Sequence, residues 1–204
     1  MKQAKKLAAV LLSLVLVLAL AVPASAAGNY TITITNDQTG HTYEAYQIFA
    51  GDVSSNAQQE GNVEGPILSN ITWGKNIENT TGLIQALIDS DIAAFDGLNA
   101  ATSTAATVAE ALEVAADAAA FANLVEPFLT GAPATSGAYN DEAHTYTIAN
   151  LDAGYYLVKD QDGSLQGDPA TATEYIVQVL GNVAMEPKDS DVPTVEKKVS
   201  EEDY

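Results

Sequence analysis

Alternation marks the start of the chain: in Tyr30–Thr35, Tyr30, Ile32 and Ile34 fall on one side and Thr31, Thr33 and Thr35 on the other. A period of two predicts a half-buried strand, and Asn36-Asp37 and Gly40 supply its stop. His41–Gly51 is rich in aromatic and β-branched residues and predicts a second strand, paired with the first as a hairpin. Residues 52–65, DVSSNAQQEGNVEG, read as a polar loop. Residues 66–74, PILSNITWG, read as a short third strand ending near Trp73.

From Thr80 to Leu129 the texture changes to segments rich in Ala and Leu. Ile84, Leu87, Ile88 and Phe95 fit one helical face. Val108, Leu112, Ala115 and Ala119 fit another, extended by Leu124, Val125 and Phe128. TGAPATSG at 130–137 breaks the run. Alternation then returns in HTYTIANL (Tyr146, Ile148), GYYLVKD (Tyr155, Leu157) and TEYIVQVLGNVAMEP (Tyr175, Val177, Val179). The turn-rich DQDGSLQGDPAT joins the last two. Strands, a helical insert and strands again predict a mainly β chain. The expected architecture is an antiparallel β-sandwich of two sheets face to face, with a helical insertion at about residues 80–130 covering one edge or one end. No internal repeat is visible.

The first residues have a separate logic. MKQAKK is basic, Leu7–Val22 is an apolar run of 16 residues, and Ala24 and Ala26 form an A-x-A pair. This is the pattern of a secretory signal cleaved after Ala26 or Ala27. The run is shorter than the roughly 20 residues that span a bilayer. Residues 1–26 are therefore expected to be removed, leaving 178 residues, and no second apolar run follows. That length suits one domain with a real core, with or without a fragment of another.

Charge narrows the partners. The chain has no Arg and eight Lys, three of them in the first six residues, so five remain against 27 acids and the secreted part carries a formal charge of −22. Such a surface repels nucleic acid and anionic lipid, so neither nucleic acid nor a membrane is expected as a partner after signal cleavage. There is no Cys, although secretion would permit disulfides.

Catalytic chemistry is not in view. The two histidines, His41 and His144, each precede Thr-Tyr at the start of a strand and read as exposed edge residues. No G-x-S-x-G, H-E-x-x-H or Gly-rich phosphate loop occurs. DQDGSLQGD falls short of a calcium loop and lacks a closing Glu. No enzyme, cofactor or metal site is expected. The sequons NYT, NIT and NTT are short patterns that arise easily by chance.

The lysines are placed unevenly. Lys75 follows the third strand and Lys159 ends GYYLVKD, while Lys188, Lys197 and Lys198 crowd into the last 17 residues. Pro187 lacks a ladder donor, so strand pairing should end before Lys188. Beyond Pro193, TVEKKV alternates again, with Val195, Lys197 and Val199 on one face.

Taken together, YTITITNDQTGHTYEAYQIFAGD, LSNITWG, LDAGYYLVKDQDGS and VAMEPKDSDVPTVEKKV resemble the N-terminal part of a sortase-assembled fimbrial shaft protein of Gram-positive bacteria. That is a major pilin of the isopeptide-forming fimbrial protein family. These stretches span nearly all of the secreted chain in the same order. The family's pilin motif, roughly W-x-x-x-V-x-V-Y-P-K, is matched by Val183, Pro187 and Lys188. Val179, Met185 and Glu186 stand where Trp, Val and Tyr are usual.

The resemblance implies an Ig-like or CnaB-like sandwich over residues 27–187, with 188–204 as linker and first strand of a next domain. It implies a structural subunit of a covalent pilus (fimbrium) at the cell wall, secreted and then polymerised. A pilin-specific sortase would join the Lys188 amine to the C-terminal Thr of a neighbouring subunit. Lys197 would form an intramolecular isopeptide bond in the next domain, with partners beyond Tyr204. Such amides would toughen a chain that lacks Cys. Glu186, Asp189 and Asp191 favour the charged ammonium of Lys188, so deprotonation would fall to the docked sortase. The N-terminal domain itself is expected to lack an internal isopeptide. Its first strand carries no Lys, Asp160 stands about where a related domain keeps its acid without facing an amine, and Lys159 points to the opposite side.

No LPxTG-like signal, apolar C-terminal span or basic tail follows, which reads as a chain cut at a domain junction. The other reading is a secreted cell-adhesion module that binds host protein or glycan at the surface through loops of the same sandwich.

Overall fold

A computed structural model describes residues 28–59, 63–114, 118–161 and 174–186. The expected signal peptide, most of the connector at 160–171, and the linker and strand after Glu186 lie outside the described residues. The strands are β1 (Tyr30–Thr35), β2 (Tyr43–Gln59), β3 (Val63–Trp73), β4 (Ala134–Thr135), β5 (Thr145–Leu151), β6 (Gly154–Asp160), β7 (Tyr175–Val179) and β8 (Val183–Met185). The helices are α1 (Thr80–Ile88), α2 (Ala105–Val114) and α3 (Ala118–Val125). One sheet has the order β5-β1-β8, and the other has the order β3-β2-β6-β7 with β4 added on β2. The chain is a mainly β sandwich with a helical insertion.

Two apolar layers hold it. Between the sheets, Ile32 and Ile34 of β1, with Tyr146, Ile148, Val183 and Met185, meet Tyr43, Ala45, Tyr156, Val158, Val177 and Val179. On the far side of the larger sheet, Ile48, Phe49, Tyr155 and Leu157 pack against the insertion through Leu83, Leu87, Phe95, Val108 and Phe121. Phe49 is the hub of this second layer, with Trp73, Phe121 and Tyr155 at ring centroids of 5.3, 6.4 and 5.9 Å. Each fully buried ring or Leu contributes about 1.5–3 kcal/mol of transfer free energy. Close approach of backbones also matters here: a Cβ on Gly74 would meet the carbonyl of Gln47, and one on Gly154 the carbonyl of Phe49.

The insertion therefore packs on a face of the larger sheet rather than on an edge or an end, giving three layers. The reason lies in β6, where all seven residues are buried. A strand with apolar residues on both faces needs cover on both.

Three further expectations change. β1 and β2 are not a hairpin. β1 pairs with β5, as in Thr33↔Thr147, while β2 lies in the other sheet, so residues 36–42 form a corner between sheets. The corner has its own bonds: the Asn36 amide donates to the His144 carbonyl, and the Gln38 amide donates to Asn36 Oδ1 at 2.8 Å. The polar stretch 52–65 is largely a β-ladder, with Val53↔Leu68 and Gln59↔Val63 among its pairs. Backbone pairing supplies what the side-chain pattern did not announce. Finally, TEYIVQVLGNVAMEP is two strands. β7 ends in the larger sheet, and after Gly181 β8 joins the smaller one, parallel to β1. Among the described strands the other named pairs are antiparallel.

Within the insertion, Leu83, Ile84 and Leu87 form the buried face of α1, and Phe95 sits on a separate 3-10 turn, Ala93–Phe95. Phe121, fully buried in α3, was absent from the expected helical faces.

Candidate functional site: the end of the sandwich where the last strand leaves

The register puts several chain segments at one end of the molecule. Ile34 lies beside Met185, Thr35 beside Thr145, and Tyr43 beside Asp160. The last turn of β1, the corner 36–42, the start of β5 and the end of β6 thus share the end at which β8 stops. Glu186, exposed, is the last described residue there.

A chain of rings builds this end. His41 stacks on Tyr43 at 5.5 Å; Tyr43 meets Tyr146 edge-on at 5.3 Å; Tyr146 meets Tyr139 at 5.0 Å; Tyr139 meets His144 edge-on at 6.3 Å. Carboxylates hold both ends. His41 Nδ1 lies 3.0 and 3.2 Å from the Asp160 oxygens, and His144 Nδ1 lies 3.1 Å from Asp37 Oδ1. The hydroxyls are engaged as well. Asn36 Nδ2 donates to the Tyr43 hydroxyl at 2.8 Å, the His41 amide donates to the Tyr146 hydroxyl, and that hydroxyl donates to the Gln38 carbonyl. A network satisfied in this way makes a rigid end plate.

His41 is therefore not the exposed edge residue expected. Its side chain and that of Asp160 are each 11% exposed, because the corner folds the imidazole back over the sheet. His144 is exposed, as expected. Only the pairing of residues distant in sequence could have revealed the His41–Asp160 contact.

Burial pushes the Tyr43 and Tyr156 phenols up from the ordinary value of 10.0. A phenol that holds its proton more tightly when folded contributes stability below pH 10, and this is lost as pH rises further. The melting temperature is expected to fall between pH 9 and pH 12, and Tyr43→Phe with Tyr156→Phe should flatten that fall. An equally steep fall in the double variant would contradict this assignment.

The lysines divide sharply. Lys188 and Lys197, the expected acceptor and the expected isopeptide lysine, lie outside the described residues. Lys75 is exposed after β3. Lys159 emerges on the helical side of β6, opposite to Asp160, and its Nζ donates to Glu126 Oε1 at 2.5 Å. Lys159 is only 8% exposed, so it fastens the end of the insertion to the sheet. No group of His, Cys, Asp and Glu among the described residues could hold a metal ion.

No protein-family model and no curated protein matches this chain.

Asn76 was missed by the sequence reading altogether. Its side chain is 2% exposed; Oδ1 accepts from the Gln47 amide at 2.9 Å, and Nδ2 donates to the carbonyls of Thr130 and Ala132. The same place joins the two ends of the insertion, since Glu78 N donates to the Phe128 carbonyl and Thr130 N to the Asn76 carbonyl. A lone Asn between a strand and a helix carries no signal of such a role.

The described domain places Asp160 against an imidazole, and Lys159 on the other face. Intact mass of the folded domain is accordingly expected to equal the sequence mass. A deficit of about 17 or 18 Da, the ammonia or water released when a neutral Lys forms an amide, would contradict this.

Proposed function

We propose that the chain belongs to a structural subunit of a covalently polymerised cell-surface pilus. On this reading it is secreted, is a sortase substrate rather than an enzyme, and offers Lys188 as the amine joined to the C-terminal Thr of a neighbouring subunit. Lys197 would open the next domain and form that domain's intramolecular amide. The observation that carries the reading is the exit of β8. The strand stops at Met185 beside a braced end plate, and Pro187-Lys188 follow at once in the sequence.

An acceptor amine must be reachable and held near a fixed body, because positioning removes much of the entropic barrier to transfer. The described lysines fit less well: Lys159 is buried against Glu126, and Lys75 follows β3 rather than the outgoing strand. The fold supports the reading in a second way. Two packed sheets with a clamped helical layer make a stiff unit without any Cys.

The test is a denaturing gel of cell-wall extract from cells that make this protein, probed with an antibody to the described domain. A ladder of heat- and detergent-resistant species is expected. A single band at monomer mass would overturn the proposal and favour a surface adhesion module.

A further inference from the structure

We propose that Met185 is a positioning residue for the acceptor amine: as the last side chain seated in the core before Lys188, it sets how far that amine can stray from the end plate. The inference rests on the pilus reading. It adds what the sortase measures, which is the place of the amine relative to the folded body rather than the tail peptide alone.

The strand that carries the exit is short but held at both ends. β8 opens after Asn182, whose Oδ1 accepts from the Thr31 amide at 3.2 Å. Val183 and Met185 are 3% and 6% exposed and belong to the layer between the sheets, while Ala184 between them is exposed. Ile32 pairs with Val183 and Ile34 with Met185, in parallel. Two parallel strands leave their sheet at the same end. β1 leaves through the corner 36–42, which Tyr146 and Asp160 hold down, and β8 leaves beside it.

The chain beyond Met185 adds little freedom. Only Glu186 and Pro187 separate it from Lys188. Proline fixes its own φ and biases the residue before it toward extended backbone, so both spacer residues are restricted. Three residues reach at most about 11 Å. With Met185 out of its seat, the last seated side chain is Val183, and five residues reach about 18 Å. The local concentration of a tethered group falls with the 3/2 power of tether length or more steeply, so the amine is diluted about twofold at least. Holding a nucleophile in one place is also the part of a transfer step that a rigid body can supply in advance.

The test is a pulse-chase in cells that make the protein, following the half-time with which labelled monomer enters heat- and detergent-resistant species. Inserting Gly-Ser-Gly-Ser between Glu186 and Pro187 keeps Met185 seated but lengthens the tether from about three residues to about seven, and the half-time should lengthen about threefold or more. Met185→Ala should lengthen it about twofold or more. Met185→Leu, which refills the seat, should restore it, and Ala184→Ser, on the outward side of the same strand, should leave it unchanged. Because Met185→Ala also opens a cavity, the insertion variant carries the decision, with Trp73 fluorescence to show that it melts like the parent. An insertion variant that assembles at the parent rate would overturn the proposal and leave the pilus reading standing, since the sortase would then read the tail alone. A parent that forms no ladder would overturn both.

Discussion

Lys188→Ala is expected to abolish the ladder of covalent polymers while leaving the domain folded. The change removes the proposed acceptor at a position beyond the end of β8 at Met185. Lys188→Arg should fail equally. A guanidinium stays protonated at any accessible pH, so it cannot serve as a nucleophile in place of the amine. Lys75→Ala should assemble normally. Lys159→Ala should assemble too, but with a less stable domain, because Glu126 would lose its partner at the edge of the helical layer. Lys197→Ala should polymerise while the following domain loses heat and protease resistance. A ladder that survives Lys188→Ala and vanishes with Lys75→Ala would move the acceptor into the body of the domain.

The second large effect is on stability. Asn76→Ala is expected to cost on the order of 3 kcal/mol, because it strands the buried Gln47 amide and two carbonyls at the neck of the insertion. Asn76→Asp is the sharper variant. It keeps volume and the acceptor for Gln47, but sets a carboxylate against the carbonyls of Thr130 and Ala132. It should destabilise at least as much as Ala. Urea unfolding followed by Trp73, which lies in the same layer as Phe49, reports it directly. Gln85→Ala, which removes only a surface bond to Asp89, should stay within about 0.5 kcal/mol of the parent. An Asn76→Ala midpoint within that same margin would show that the neck is held by other contacts.

Period and composition made the strands legible because each half-buried strand must alternate: Ile32 and Ile34, or Tyr146 and Ile148, could only face inward. The boundary of the helical insertion was legible for a similar reason, as its apolar spacing differs from that of the strands. What alternation does not encode is which strand pairs with which. The corner at 36–42 and the sheet switch at Gly181 are set by long-range burial, so a hairpin and a single strand were expected there. The polar β2–β3 ladder has little apolar pattern to read. The third layer was in principle visible in GYYLVKD, a strand apolar on both faces. At the end plate, both histidines were noticed, but the His41–Asp160 contact joins residues 119 apart in the chain. Asn76 is less legible still, because its partners are backbone groups, which every residue has.

The most direct test of the proposed role is the site of the inter-subunit bond. Polymers isolated from the cell wall would be digested and their branched peptides sequenced by mass spectrometry. The account predicts a branch at Lys188, its side-chain amine joined to a C-terminal Thr. A C-terminal Thr joined instead to Lys75, Lys159, Lys197 or Lys198, or no peptide with a Thr-linked branch, would contradict it.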